Sequence, residues 1–282
     1  MSKQQLSING NNIYERYGAQ LLDGAFTSLI AFPKLKPYPK NDWQERSGIE
    51  TDLSNPKLDK KEIKLSLIVK RYRKLIKELS KKVYHDFEFH KLEHTCRLRL
   101  INADVVKYND EFKIVTLTLS NDFPLNGYQY SKPQSSINEN DYFTIDDIST
   151  TAYGINILQG TLSQILKVPK IKPLMERNIK AMNGVIYDDK GSVTFKEKDV
   201  SLKCLMRADN IKEFWQNWNA FIYDLTKPYE RTLYVKALDK KFSFCYKSSM
   251  VSKFYTTPYV WVEFTVVITF TYNREENNDD IF

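Results

Sequence analysis

Apolar and polar residues alternate with period two over Glu62-Ile63-Lys64-Leu65-Ser66-Leu67-Ile68-Val69, and again over Asp199-Val200-Ser201-Leu202-Lys203-Cys204-Leu205-Met206. This predicts two half-buried strands, because successive strand side chains point to opposite faces. Beyond each segment the period changes. Ile211, Phe214, Trp215, Trp218 and Ile222 recur at helical spacing, with Asp209 or Asn210 placed as N-cap. Leu75, Leu79, Val83 and Phe87 step by four and predict the counterpart helix. Strand patterns return at residues 95–100 and 232–237. Each succession closes on a hairpin-like pair, ending at 112–119 in the first and, after 242–246, at 259–272 in the second.

The order recurs because the chain repeats itself. Tyr17-Gly18-Ala19-Gln20-Leu21-Leu22-Asp23-Gly24 is echoed by Tyr153-Gly154-Ile155-Asn156-Ile157-Leu158-Gln159-Gly160, a register of 136 residues (153 − 17). The register runs on through Phe32-Pro33-Lys34-Leu35-Lys36-Pro37 and Val168-Pro169-Lys170-Ile171-Lys172-Pro173, and still holds at Gly48 and Gly184. A period this long is a whole domain, not a solenoid unit. Strands are expected at 17–22 and 153–158, and an edge strand or loop between the bracketing prolines, which cannot donate to a ladder. Upstream, Ile8-Asn9-Gly10-Asn11 is matched with Ile137-Asn138-Glu139-Asn140, which gives the second repeat a few extra residues near Asp146. The last strands correspond at 149 residues (264 − 115), so about a dozen further residues are expected in a loop near 248–258.

The expected fold is therefore α+β and mainly antiparallel β: two homologous sandwich or barrel domains, each with one flanking helix. The expected boundaries are 1–124, a Ser/Asn/Gly/Pro-rich linker at 125–140, 141–273, and an acidic tail at 274–282.

Composition changes this picture little. The chain has 42 basic and 35 acidic residues, a net charge of +7, but the cations are dispersed and form no arginine-rich arm. A DNA- or carbohydrate-binding module remains an alternative on charge and on the 18 Tyr and 4 Trp. Cys96, Cys204 and Cys245 show no paired spacing, so no disulfide framework is expected. The start lacks a signal peptide's apolar core and no apolar run reaches membrane length, so a cytosolic origin is expected and no membrane partner.

The sharpest candidate for chemistry is His90-Lys91-Leu92-Glu93-His94, an H-x-x-E-H pattern close to His85. On a helix the outer histidines would share a face and could bind zinc beside Glu93 as base, the alternative of a metallohydrolase. The repeat places Pro228 opposite Lys91, which predicts a connector instead. Nucleotide, nucleophile-elbow and C-x-x-C motifs are missing. Asp52 and Asp188 occupy equivalent places without an Asp-Thr/Ser-Gly turn and are expected to cap loops. Trp215 and Trp218 are expected in a core or interface. No catalytic, cofactor or metal residue is assigned.

Ile8-Asn9-Gly10-Asn11, Tyr17-Gly18, Leu22-x-Gly24, Asp42-Trp43 and Gly48-Ile49-Glu50-x-Asp52-Leu53 resemble tail proteins of Bacteroides-type phages and prophages. More broadly, each half resembles the tail-tube fold of tube and distal-tail (baseplate) proteins. The second half keeps Gly184, Val185 and Asp188 but has Ile186 where the first has Glu50. The resemblance implies a structural virion protein, not an enzyme and without cofactors, assembled in the host cytoplasm. It implies a ring around the channel through which DNA passes, with other tail proteins as neighbours. With two such domains per chain it implies a trimer of pseudo-six-fold symmetry, with a hexamer as the alternative.

Overall fold

The computed structural model describes residues 5–136, 142–174, 176–187 and 191–271. In the first half the order is β1 (Leu6–Ile8), β2 (Asn11–Asn12), α1 (Ile13–Tyr17), β3 (Ala19–Leu21), α2 (Ala25–Ile30), β4 (Lys40–Asn41) and β5 (Glu50–Thr51). It continues with β6 (Lys61–Val69), α3 (Tyr72–Leu79), β7 (Tyr84–Phe89), β8 (His94–Lys107) and β9 (Lys113–Asn121). The second half runs β10 (Phe143–Ile145), β11 (Ile148–Ser149), β12 (Ile155–Ile157), α4 (Thr161–Ile165), β13 (Glu176–Asn178) and β14 (Val185–Tyr187). It ends with β15 (Lys198–Ala208), α5 (Ile211–Leu225), β16 (Arg231–Val235), β17 (Lys240–Tyr255) and β18 (Val260–Phe270).

Two seven-stranded antiparallel sheets result, ordered β2-β1-β7-β8-β9-β6-β3 and β11-β10-β16-β17-β18-β15-β12. The orders match strand for strand, so the α+β, β-rich class with two similar domains holds. Alternation builds the cores as read from sequence. Ile63, Leu65, Leu67 and Val69 of β6 are fully buried, as are Val115, Leu117 and Leu119 of β9. Val200, Leu202, Cys204 and Met206 of β15 face Val262, Phe264, Val266 and Ile268 of β18 in the second core. Each such aliphatic side chain contributes about 1.5–3 kcal/mol of transfer free energy.

The Tyr-Gly pair at the head of each repeat has a steric cause. Gly18 and Gly154 both end a short helical turn in the left-handed region, at φ 62° and 73°. A Cβ on Gly18 would lie 2.9 Å from the Lys70 Cβ, and one on Gly154 would lie 2.4 Å from the Arg207 carbonyl oxygen. Only glycine lets the chain reverse this close to the neighbouring strand.

Several expectations are corrected. The strands at 17–22 and 153–158 shorten to β3 and β12, preceded by α1 and by a 3-10 turn over Thr150–Tyr153. Asn12 and Ser149 cap these turns by accepting from the N–H groups of Tyr14 and Thr151. The first-half helix stops at Leu79, where the Ser80 N–H bonds to the Ile76 carbonyl. Val83 is then exposed, and Phe87 points inward from β7.

The ladders also re-register the repeat. Ile8 pairs with Phe87 as Ile145 pairs with Leu233, so Ile8 matches Ile145, and β16 matches β7 rather than β8. The left-handed residues agree, Asn9 and Gly10 with Asp146 and Asp147, and Glu93 with Asp239. Leu67 pairs with Val115 and Cys204 with Phe264, so β15 sits 137 residues (204 − 67) after β6. Phe87 and Leu233 differ by 146 (233 − 87), so nine residues were added at the helix, which runs 15 residues in α5 against 8 in α3. Only three of the dozen extra residues lie in the last hairpin, and they lengthen its strands rather than its loop, since β17 runs on to Tyr255 and β18 begins at Val260. The match to residues 137–140, Asp188 and the tail 274–282 fall outside the described residues.

Candidate assembly interface

Helix α5 lies between the two halves. Asn210, one of the two caps expected from sequence, caps it by accepting from the Glu213 N–H. Trp215 donates its Nε1–H to the Leu92 carbonyl at 2.7 Å and stacks on His94 at 4.2 Å between ring centroids. Trp218 donates to the Ile30 carbonyl at 2.9 Å and stacks on Phe32, also at 4.2 Å. Both tryptophans, expected in a core or interface, join first-half residues to the second-half helix.

Phe32 opens a second connection. Residues 33–59 form an arm whose stem is a bridge between Leu35 and Leu58. The arm lies against the second half of the same chain. Ile30 (1 % exposed) and Phe32 (6 %) belong to the second-half core. The Phe32 N–H donates to Ser249 Oγ at 2.9 Å, and the Tyr246 hydroxyl donates to the Pro33 carbonyl at 2.9 Å. Further out, the N–H groups of Gly48 and Ile49 bond to the carbonyls of Phe195 and Thr271, at 2.8 and 3.2 Å.

Lys172 fixes the arm's tip. The residue is 2 % exposed, and its ammonium donates to the carbonyls of Trp43 (2.8 Å), Arg46 (2.8 Å) and Gly48 (2.9 Å), beside the Asp42 carboxylate. A buried ammonium is tolerated only when its protons are used in this way. Asp52 accepts from the N–H and the hydroxyl of Ser54, which hold its carboxyl below its ordinary pKa. It is the loop cap expected of it.

The segment after β9 is also anchored on α5. Asp224 accepts from the Tyr153 hydroxyl at 2.6 Å and the Tyr130 hydroxyl at 3.1 Å, with Lys227 at 2.6 Å. Asn217 receives the Gln134 N–H at 2.9 Å and donates back to its carbonyl at 3.2 Å.

The histidine cluster does not converge. His90–Leu92 is one 3-10 turn, Glu93 follows in the left-handed region at φ 47°, and His94 begins β8. The connector expectation is therefore met, although the residue opposite Lys91 is Ala237 in the corrected register, not Pro228. His85 is buried, donates from Nε2 to the Leu79 carbonyl at 3.0 Å and accepts at Nδ1 from Asn9 at 2.8 Å. His90 Nε2 pairs with the Ser7 hydroxyl at 2.8 Å. Among the described residues no three His, Cys, Asp or Glu side chains are grouped to hold a metal.

A cleft of about 630 Å³ runs between the halves, lined in part by Lys61, His94, Cys96 and Trp215. Burial, then the Lys61 charge, pushes His94 down to about 4. Burial pushes Lys61 down to about 7 and Cys96 up to about 12. At neutral pH the imidazole and the thiol are uncharged, and the thiol is a poor nucleophile. Elsewhere, Arg99 forks onto Asp122 at 2.7 and 3.0 Å, holding that carboxyl far below the carboxylate range. Among the described residues no helix is long and apolar enough to cross a membrane.

No family model and no curated protein matches the chain. Among solved structures it is similar to the Dit protein of phage SPP1, described as a paradigm of the hub adsorption apparatus in phages infecting Gram-positive bacteria. The identity is 10 %, over 95 % of this chain and 99 % of that one, with a TM-score of 0.33. A superposition at that level assigns no residue and no role.

Proposed function

We propose that the chain is a structural protein of a bacteriophage tail, a distal-tail (baseplate) or tube component that forms a ring around the DNA channel. The observation that carries this reading is the pair of equally ordered seven-stranded sheets joined by an arm and a helix within one chain. Two units related in this way make a building block that propagates head to tail, and such contacts close into rings when the rotation allows. Each sheet ends in strands of two or three residues, β2 and β3 in the first and β11 and β12 in the second. Short edges of this kind suit controlled pairing with a neighbour rather than open-ended aggregation.

The tail-protein resemblance around Gly48 and Tyr17-Gly18 supplies the virion context. The two units are proposed as 1–124 and 141–273, joined by 125–140 and followed by the tail 274–282, with three copies closing a pseudo-six-fold ring and six as the alternative. The chain's place is the virion tail after assembly in the host cytoplasm, with no catalytic step. Native mass spectrometry and negative-stain images of the purified protein test this. A ring of three or six chains is expected; a monomer at every concentration, with no ring in virions, refutes it.

A further inference from the structure

The two halves have matching arms, but among the described residues only the first arm is docked on the other half's core. The second arm, described over residues 169–174, 176–187 and 191–196, has the same stem: Ile171 bridges Phe195 as Leu35 bridges Leu58. Its turn is already formed. The Met182 N–H bonds to the Ile179 carbonyl at 3.0 Å, as that of Arg46 does to Trp43 at 3.3 Å, and Gly184 stands at φ 82° where Gly48 stands at 75°.

The exposures differ sharply. Ile30 and Phe32 are 1 % and 6 % exposed; their counterparts Leu166 and Val168 are 59 % and 60 %. On the receiving side, Val251 of β17 is 9 % exposed under α2, whereas its counterpart Val105 of β8 is 42 %. That correspondence follows from the ladders, Val251 opposite Phe264 and Val105 opposite Val115. Lys172, 2 % exposed, is covered by the tip of the first arm, while its counterpart Lys36 is exposed. The donor apolar pair, the receiving valine and the capping lysine are thus all present and bare on the complementary parts of one molecule.

We propose that the second arm docks on the first half of another copy of this chain, repeating between molecules the contact that the first arm makes within one. Leu166 and Val168 then cover β8 near Val105, and the carbonyls of the 179–184 turn cap Lys36. The surfaces are different patches of the same molecule, so the contact is heterologous and propagates head to tail. Counted from the caps Arg71 and Asn210, the buried Leu79 of α3 stands where α5 has Trp218, so the receiving half offers no tryptophan to stack on the arriving arm. The contact between copies is shallower than the internal one and depends on concentration. This inference deepens the ring reading above and names the surface that closes it.

The test uses single cysteines in a Cys96→Ser background. Phe32 bonds to Ser249 within the chain, and the counterparts are Val168 and Ala103, paired through Leu117 as Ser249 is through Val266. A mixture of V168C and A103C proteins should form a disulfide-linked dimer under mild oxidation, while neither alone does. Val168→Asp should dissociate the oligomer, and Lys36→Met should raise its dissociation constant about tenfold, the scale of losing charge-assisted hydrogen bonds. Circular dichroism should show both variants folded, since both sites are exposed. A ring that survives Val168→Asp unchanged, or V168C linking to itself, overturns this interface and leaves the ring standing. A wild-type chain that stays monomeric overturns both.

Discussion

Phe32→Ala should destabilise the second half of the molecule although the residue belongs to the first. Phe32 is 6 % exposed, stacked on Trp218 at 4.2 Å and edge-on to Phe264 at 6.2 Å, with Phe221 at 6.0 Å. Truncating a buried phenylalanine costs about 3–5 kcal/mol in lost transfer energy and cavity. The Trp218 stack adds about 0.5–1.5 kcal/mol of ring–ring preference, much of it already within that range. The backbone bond from Phe32 to Ser249 survives the substitution, so a loss near 4 kcal/mol is expected, a large share of a typical domain's 5–15 kcal/mol. Urea unfolding followed by tryptophan fluorescence, at concentrations low enough to keep the chain monomeric, gives the number. Hydrogen exchange locates it: protection should fall in β17 and β18 and hold in β6 and β9. The matched control is Val168→Ala, at a site 60 % exposed, which should move the monomer's stability by less than about 0.5 kcal/mol. A Phe32→Ala loss below about 1 kcal/mol, or one confined to the first-half sheet, would refute the docking of this arm on the second core.

Lys172→Met removes the donor shared by three carbonyls and should cost about 2–4 kcal/mol, with new protease cleavage in residues 42–48 as its signature. Acid should loosen the junction between the halves. The folded pKa of His94 lies at about 4, below the unfolded value near 6.5, so the unfolded chain takes up this proton first. The stability present above pH 6.5 is therefore lost as pH falls towards 4. The window sets an upper limit of about 3 kcal/mol, reduced to about 1–2 because the ring is only half buried. Urea midpoints at pH 7 and 4.5 measure it, and a His94→Phe chain should lose less than the wild type. Trp215→Ala strips the stacked cover from His94, so its pKa should climb back and this acid sensitivity should shrink; imidazole NMR titration reads it directly. Asp224→Asn weakens the hold on Tyr130 and Tyr153, and should cost about 1.5–3 kcal/mol and expose the chain near Tyr128 to protease.

The strands with strict alternation, 62–69 and 199–206, could be read from sequence because one face is buried and the other is not. So could α5, where five apolar residues share a face behind Asn210. The helix expected through Val83 and Phe87 failed because a step of four also keeps residues on one face of a strand, and Phe87 uses it that way. The short turns before Gly18 and Gly154 were missed, although Asn12 and Ser149 signal them as caps. The arm's destination carried no signal of its own: Ile30 and Leu166 are both apolar, as are Phe32 and Val168. Pattern reports what a residue would bury, not against which half it is buried. The register slipped at the helix for a related reason. Nine residues are inserted there, so a constant offset sets Pro228 rather than Ala237 opposite Lys91 of the His90–His94 connector.

The two helices explain why two similar halves need not be interchangeable. With the same residues on α3 and α5, either arm could dock on either half, and intramolecular and intermolecular pairings would compete. Trp215 and Trp218 of α5 bond to Leu92 and Ile30 of the first half, whereas the same places of α3, counted from the helix start, hold Ile76 and Leu79. The Trp218 bond to Ile30 and the Phe32 stack accompany the first arm's place on the second half. The internal contact also has the advantage of tethering, since both partners are held on one chain at high effective concentration. In the proposed contact between copies, the second arm meets the half whose helix carries no tryptophan. On the proposed contact, the chain is expected to fold onto itself through α5 first and to present Leu166, Val168 and Lys36 to its neighbours afterwards. A repeat that had stayed symmetric would have lost that distinction, and with it a defined direction of assembly.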